Sequence, residues 1–313
     1  MRQSLKAALC ATTVAIAVSS TPAFAGGPLA VCESGIAFRW ADGGQDIPFN
    51  PDQGDLGPIA AADAVAFVES AFQAWEDVAS ANNTYTNAGQ LPVDVDVTNF
   101  GPFVMPAGPD GLSAIVFDDT GEIFDMLFGP GSGVLGFAGP EFGDTATCEI
   151  TEGVAFLNGP ALVDPVAALD VTVHEFGHYS NLAHTVINAQ QFIGVGDTSG
   201  PGDSNFFGTP DPFAETFATM YPFFFGPGFG TQTPHRDDIA SLSTLYPEPT
   251  FATDFGAISG TIFAPNGETR LTGVNIIARN IADPFIDAIS AISSDFTDAT
   301  DQGDPVVGTY KIE

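Results

Sequence analysis

Apolar residues recur along the first half of the chain at two spacings. Val68, Phe72, Trp75 and Ala79 fall at i, i+4, i+7 and i+11, which predicts an amphipathic helix with Pro58 near its start. Val93, Val95 and Val97 alternate with Asp94 and Asp96, the pattern of a half-buried strand. Ile36 to Trp40 reads as a short strand, and Ser113 to Phe117 and Val154 to Leu157 are apolar runs that fit buried strands. Between the last two, Gly129-Pro130-Gly131-Ser132-Gly133 forms a glycine-rich turn that runs into an extended piece ending near Ala138.

A second helix opens where Asp164 can cap and Pro165 suits the first helical position; Val166, Leu169, Val173 and Phe176 make its apolar stripe. A last helix is predicted from Thr233-Pro234, carrying Ile239, Leu242 and Leu245 and ending at Pro247 and Pro249. Pro249 to Asp254 reads as a linker, and Gly256 to Glu313 is rich in β-branched residues and turns with no helical period. Strands followed by helices predict an α+β domain built on a mixed sheet.

The N-terminus changes the domain count. Arg2 and Lys6 precede a largely apolar run from Ala7 to Val18, and Ala23-Phe24-Ala25 is an A-x-A cleavage site. Residues 1–25 therefore read as a secretory signal peptide, too short for a permanent span, and no later stretch is apolar enough to be one. This leaves 26–250 for the main domain and 256–313 for a small one. Cleavage removes Cys10, leaving Cys32 and Cys148, and an even pair in an exported chain favours a disulfide; the rival reading makes Cys32 a thiolate that blocks a metal.

The 313 residues hold 39 Asp and Glu against 7 Lys and Arg, for a net charge of -32. So acidic a chain repels nucleic acid. The plain reading of the acidity is solvation. The sharper one is a structural calcium ion, because Asp118, Asp119, Glu122 and Asp125, then Asp197 and Asp203, cluster in glycine-rich loops, although neither cluster has EF-hand spacing.

The chemistry concentrates at His174-Glu175-Phe176-Gly177-His178, an H-E-x-x-H pattern on the helix opened by Asp164. Residues four apart share a helix face, so His174 and His178 can reach one ion, with Glu175 beside them as a candidate general base on a water held there. Alone the pattern is only moderately specific, since surface histidines also fall four apart. His184 sharpens it. On a continued helix it would lie ~15 Å along the axis from His174 and point elsewhere. It can be a third ligand only if the helix stops and the chain turns back, and Asn181, a residue that tolerates the left-handed cap, stands at the required break. Three of the 4 histidines fall within 174–184. Three imidazoles with an open position is the donor set of a catalytic zinc site.

At these residues the chain resembles the metzincin metallopeptidases, and among them the matrixins. His174-Glu175-Phe176-Gly177-His178-Tyr179-Ser180-Asn181-Leu182-Ala183-His184 matches the extended zinc motif, with Asn181 where the family usually has Gly. Thr219-Met220-Tyr221-Pro222 resembles the Met-turn, and Asp237-Asp238-Ile239-Ala240 through Leu245-Tyr246-Pro247 the last helix. Phe38-Arg39-Trp40 and the Trp75 helix fit the start of such a domain, so the resemblance spans roughly 33–247. It implies a twisted mixed sheet with three main helices, Glu175 as general base, and Met220 as the floor of the site. It also implies Gly133, Val134, Leu135, Gly136, Phe137 and Ala138 as the edge strand that pairs with an extended peptide.

The departures are specific. Gly136 stands where vertebrate matrixins carry a structural-zinc histidine, so one zinc is expected. Pro222 stands where astacin-like relatives place a metal-binding tyrosine, no P-R-C-G-x-P-D latency segment is present, and Thr185 to Thr219 is longer than in typical matrixins. Ile258-Ser259-Gly260-Thr261-Ile262 and Gly308-Thr309-Tyr310-Lys311-Ile312 resemble a carboxypeptidase regulatory-like, transthyretin-like β-sandwich that stops mid-pattern.

The expectation is a secreted, monomeric zinc endopeptidase acting on polypeptides, with no membrane span. Two readings from other classes stand beside it: an exported protein that keeps zinc as a structural element, and an adhesin. Glu175 discriminates, because a structural site has no use for a carboxylate beside an open metal position.

Overall fold

The computed structural model describes residues 13–15, 26–189, 216–224, 226–227, 229–297 and 301–313. The rest of the expected signal peptide, and Asp197 and Asp203, lie outside the described residues, as does most of 185–219.

A mixed sheet carries the fold. Its strands are β1 (Thr13–Ala15), β4 (Arg39–Trp40), β5 (Ile47–Pro51), β6 (Tyr85–Asn87), β7 (Ala114–Asp118), β8 (Gly136–Asp144) and β9 (Glu149–Asn158). The order is β1-β8-β9-β7-β5-β6, with β4 also pairing β9. The pairs β5–β6, β5–β7, β7–β9 and β4–β9 are parallel, and β8 and β1 add antiparallel pairing at one side. Strands β7 and β9 are buried along most of their length, which is why they read as continuous apolar runs. Ile36 to Trp40 is divided: Ile36–Ala37 (β3) pairs with Val31–Glu33 (β2), and β4 joins the main sheet.

Helix α1 (Ala61–Glu76) packs against α3 (Pro165–Tyr179), which lies on this sheet, and α4 (Arg236–Leu245) adds Leu242 and Leu245 to the same core; the shorter α2 (Glu122–Phe128) lies between the first two in the chain. Helix α1 meets α3 through Phe72 and Phe176, stacked at 3.8 Å, and through Trp75, whose indole donates to the Val173 carbonyl at 2.8 Å. Helix α1 ends at Glu76, so Ala79 falls beyond it on the surface and Val78 takes the buried place. In α3, Val173 and Phe176 are buried, but Val166 in the first turn is 42% exposed, so the apolar stripe starts later than its period indicates. Helix α4 starts at Arg236 with His235 as its cap, displacing the predicted start at Thr233-Pro234.

The expected strand through Val93, Val95 and Val97 does not form. Buried Asp52 accepts hydrogen bonds from the amides of Val95, Gln53 and Phe117, which fixes Val95 inward by a side chain rather than a ladder, and Val93 is left exposed. The expected linker also has structure: Phe251–Asp254 is a helical turn with Phe251 buried. Beyond it the chain forms two antiparallel pairs, β10 (Ile258–Thr261) with β13 (Thr309–Ile312), and β11 (Asn275–Asn280) with β12 (Asp283–Ile292). Strand β12 packs on α4.

Cys32 and Cys148 form a disulfide, a bridge that fits an oxidising compartment. It ties the β2 strand to the turn joining β8 and β9 and favours the disulfide over the free-thiolate reading of Cys32. Among the described residues, no helix is long and apolar enough to cross a membrane.

Candidate metal centre

Helix α3 begins as its sequence dictates. The Asp164 carboxylate accepts from the amides of Val166 and Ala167 at 3.0 and 2.9 Å, and Pro165 follows it. Fifteen residues later the helix ends in a left-handed turn. Asn181 has φ 71°, its amide donates to the His178 carbonyl, and the Leu182 amide donates to the Gly177 carbonyl. These are the two bonds of a Schellman cap. The chain reverses there and brings His184 back over the helix.

The sequence predicted only the backbone role of Asn181. Its side chain, fully buried, also accepts from the Ala30 amide at 2.7 Å and donates to the Ala30 and Phe38 carbonyls at 3.0 and 2.7 Å. Alongside it, Leu29 donates to the Asn181 carbonyl, Ala183 to the Gly27 carbonyl, and Gly26 to the His184 carbonyl. Residues 26–30 thus lie along 181–184 like an added strand.

His174, His178 and His184 converge. Nε2 of His184 lies 3.2 Å from Nε2 of His174 and 3.1 Å from Nε2 of His178. Three ligands at ~2.05 Å around a tetrahedral ion would stand ~3.3 Å apart, so the set fits a metal with little adjustment. The opposite ring nitrogens are held: His174 Nδ1 by the Thr219 carbonyl at 2.6 Å, and His178 Nδ1 by the Leu182 carbonyl at 2.7 Å. Such bonds put the proton on Nδ1 and leave Nε2 as a free lone pair. Burial lowers the proton affinity of all three rings, aided by mutual repulsion in His178 and by His174 in His184, which falls to about 3. Neutral imidazoles are the ligating form. They are the only group of three His, Cys, Asp or Glu among the described residues with donor atoms close enough to hold a metal.

In the loop at 118–125, expected as a calcium site, no three acidic groups among the described residues come close enough together to hold a metal. Asp118 accepts from the amides of Gly121 and Phe124 at 2.9 Å each, so it caps the turn into α2.

Glu175 is buried beside the histidines, and burial pushes it up to about 8. A cation at the three Nε2 atoms would favour its charged form. Gly136 opens the space it occupies: a Cβ at Gly136 would come within 2.8 Å of Glu175 Cγ and 3.0 Å of Oε1. Of the expected edge-strand residues, Gly136, Phe137 and Ala138 lie in β8, whereas Gly133, Val134 and Leu135 precede the strand as irregular chain; all six line one cleft of about 730 Å³ with the histidines, Glu175, Tyr221 and Pro222. Strand β8 pairs β9 on one side; on the other, β1 covers only Phe142, Gly143 and Asp144, so among the described residues Gly136 to Ala138 present a free edge to the cleft.

Met220 is buried against α3 with its Sδ at Gly177, where any Cβ would collide with it and with Trp75. The turn bearing it is held by Asp238, whose carboxylate accepts from the amides of Thr219, Met220 and His235 at 2.7, 3.0 and 2.8 Å. The Met220 carbonyl in turn accepts from the Thr185 amide, next to His184. Asp238 was legible only as part of the last helix; its place three residues after a cap is the available signal. Its neighbour Asp237 accepts from the Thr185 hydroxyl and from the amide and hydroxyl of Ser290 in β12, which ties the C-terminal pairs to the segment after the third histidine.

No family model matches this chain, and no curated protein is similar enough to match it.

Proposed function

We propose that this chain is an exported zinc endopeptidase of the matrixin-like metzincin type. The convergence of three neutral imidazole Nε2 atoms with Glu175 in a cleft flanked by a free strand edge carries the reading. The order of motifs along the sequence supports it: the three histidines, then Met220, then Asp238 at the start of the last helix.

His174, His178 and His184 would hold the ion. Bound there, zinc would supply a Lewis acid for the scissile carbonyl and for the attacking water. The free edge of β8 at Gly136 to Ala138 would offer backbone amides and carbonyls to an extended peptide and lay it beside the histidines. Glu175 takes a proton from the attacking water and passes it to the leaving amine as the C–N bond breaks. Gly136 leaves the carboxylate room to face both. The fixed Nδ1 partners keep the His174 and His178 rings oriented while the peptide enters and leaves.

The test is cleavage of a diverse peptide library by the metal-replete protein beginning at Gly26, beside Glu175→Ala. The variant should keep its zinc and lose at least ~10²-fold in rate. Hydrolysis that survives in pure, metal-replete Glu175→Ala, or none by the wild type, would overturn the proposal.

A further inference from the structure

Hydrolysis has no use for Asp170, which nonetheless lines the same cleft. It stands four residues before His174 on α3, so Asp170, His174 and His178 share one face, with Asp170 one turn, ~5.4 Å, along from the first ligand. Its side chain is 2% exposed, and neither carboxylate oxygen has a hydrogen-bond partner among the described residues. The Thr231 side chain is near enough to favour the charged form, and His235 acts the same way at longer range. Burial nevertheless pushes Asp170 up to about 6.

No fold requirement explains this carboxylate. It sits in the second turn of the helix, past the capping positions, which Asp164 already serves. It has no cationic partner: the ion pairs among the described residues are Arg236 with Asp287 and Lys311 with Glu313. An unpaired buried carboxylate carries a desolvation cost that a ligand cation would offset. The walls around it suit one kind of ligand. Phe217, Tyr221 and Phe229, packed against one another in a small apolar cluster, line the cleft with it, and so does Thr231. A long side chain with an apolar stem and a cationic head packs its methylenes on such rings and places its charge at the end.

We propose that this part of the cleft is the subsite for a lysine or arginine side chain flanking the scissile bond, with its cation paired to Asp170. The inference rests on the peptidase reading for its substrate, a polypeptide, and adds which polypeptides are cut. The net charge of -32 acts in the same direction, drawing basic segments toward the protein at low salt.

The experiment uses the zinc-replete protein in two arms. In the first, kcat/KM is measured for peptides that differ only in carrying lysine, arginine or leucine beside the cleaved bond. The second measures binding of hydroxamate chelators bearing lysine or leucine on either side of the chelating group. Wild type should favour lysine or arginine over leucine by about tenfold or more, and Asp170→Asn and Asp170→Ser should lose most of that ratio. Asp170→Lys should turn the preference toward glutamate. The ratio is the readout, and zinc content shows that each variant has folded. Cleavage that favours leucine and keeps its ratio in Asp170→Asn would overturn the inference while leaving the peptidase reading standing. If nothing is cleaved but the lysine hydroxamate binds tighter in an Asp170-dependent way, the subsite stands and the peptidase reading falls. No cleavage and no difference in binding would sink both.

Discussion

Replacing Asn181 tests how the third histidine is brought into place. Its side chain makes three hydrogen bonds to residues 30 and 38, each worth roughly 1 kcal/mol net, and removal leaves the Ala30 amide and the Phe38 carbonyl without those partners. Its backbone sits at φ 71°, where alanine is strained by roughly 1 kcal/mol and glycine is not. Asn181→Gly should therefore cost ~3 kcal/mol and Asn181→Ala ~4 kcal/mol, a large share of the roughly 5–15 kcal/mol that holds a typical domain together. Urea unfolding followed by the fluorescence of Trp40 and Trp75, both buried in this core, measures the loss with and without zinc. Both variants should also bind zinc more weakly, since the turn that returns His184 is no longer held. If Asn181→Gly matches the wild type, the side-chain bonds do nothing. If the two variants are equal, the left-handed backbone carries no strain. Either result would refute that part of the argument.

Other outcomes follow from the same geometry. His184→Ala should lose the metal, as metal analysis of the purified variant would show; full occupancy would mean that His184 is not a ligand. Gly136→Ala should push on Glu175 and lower kcat by ~10-fold or more with zinc content unchanged, and a kcat equal to wild type would show that Glu175 tolerates the crowding. Burial pushes Asp237 up to about 7 from 3.8, so the folded state binds the extra proton. Its stabilising contribution is present below about pH 4 and lost as pH rises through about 7, so the wild type should lose stability relative to Asp237→Asn across that window. Paired denaturation curves at several pH values check it, and a trend of the opposite sign would refute it. The bridge between Cys32 and Cys148 spans a separation of 116 residues, so its loss should cost ~5 kcal/mol in the chain-entropy model; peptide mapping without reductant and unfolding of Cys32→Ser and Cys148→Ser test this.

What the sequence revealed was local chemistry. The cap at Asp164, the shared face of His174 and His178, and the need for a break near Asn181 all follow from helix geometry within a few residues. The buried strands β7 and β9 announce themselves as apolar runs because both their faces are covered. What stayed hidden depends on partners far along the chain. Val93, Val95 and Val97 have the spacing of a strand, but the group that takes the Val95 amide is Asp52. Asp170 falls between Leu169 and Val171 with nothing local to mark it, and only the fold turns it toward the cleft. Asp238 looks like an ordinary helix-start acid until the turn at Met220 is laid against it.

The added strand formed by residues 26–30 bears on the order of events during folding. The helical pair His174 and His178 needs only contacts within one turn, which form quickly. The return of His184 is locked by Asn181, whose bonding partner Ala30 is 151 positions away. Closing so large a loop is entropically slow, and contacts of that separation form late. The growing chain therefore holds two of its three ligands well before the third, and a complete metal site becomes a marker that the two ends of the domain have found each other. A metal added during refolding should accordingly be captured tightly only in the final phase, at the rate at which residues 26–30 dock.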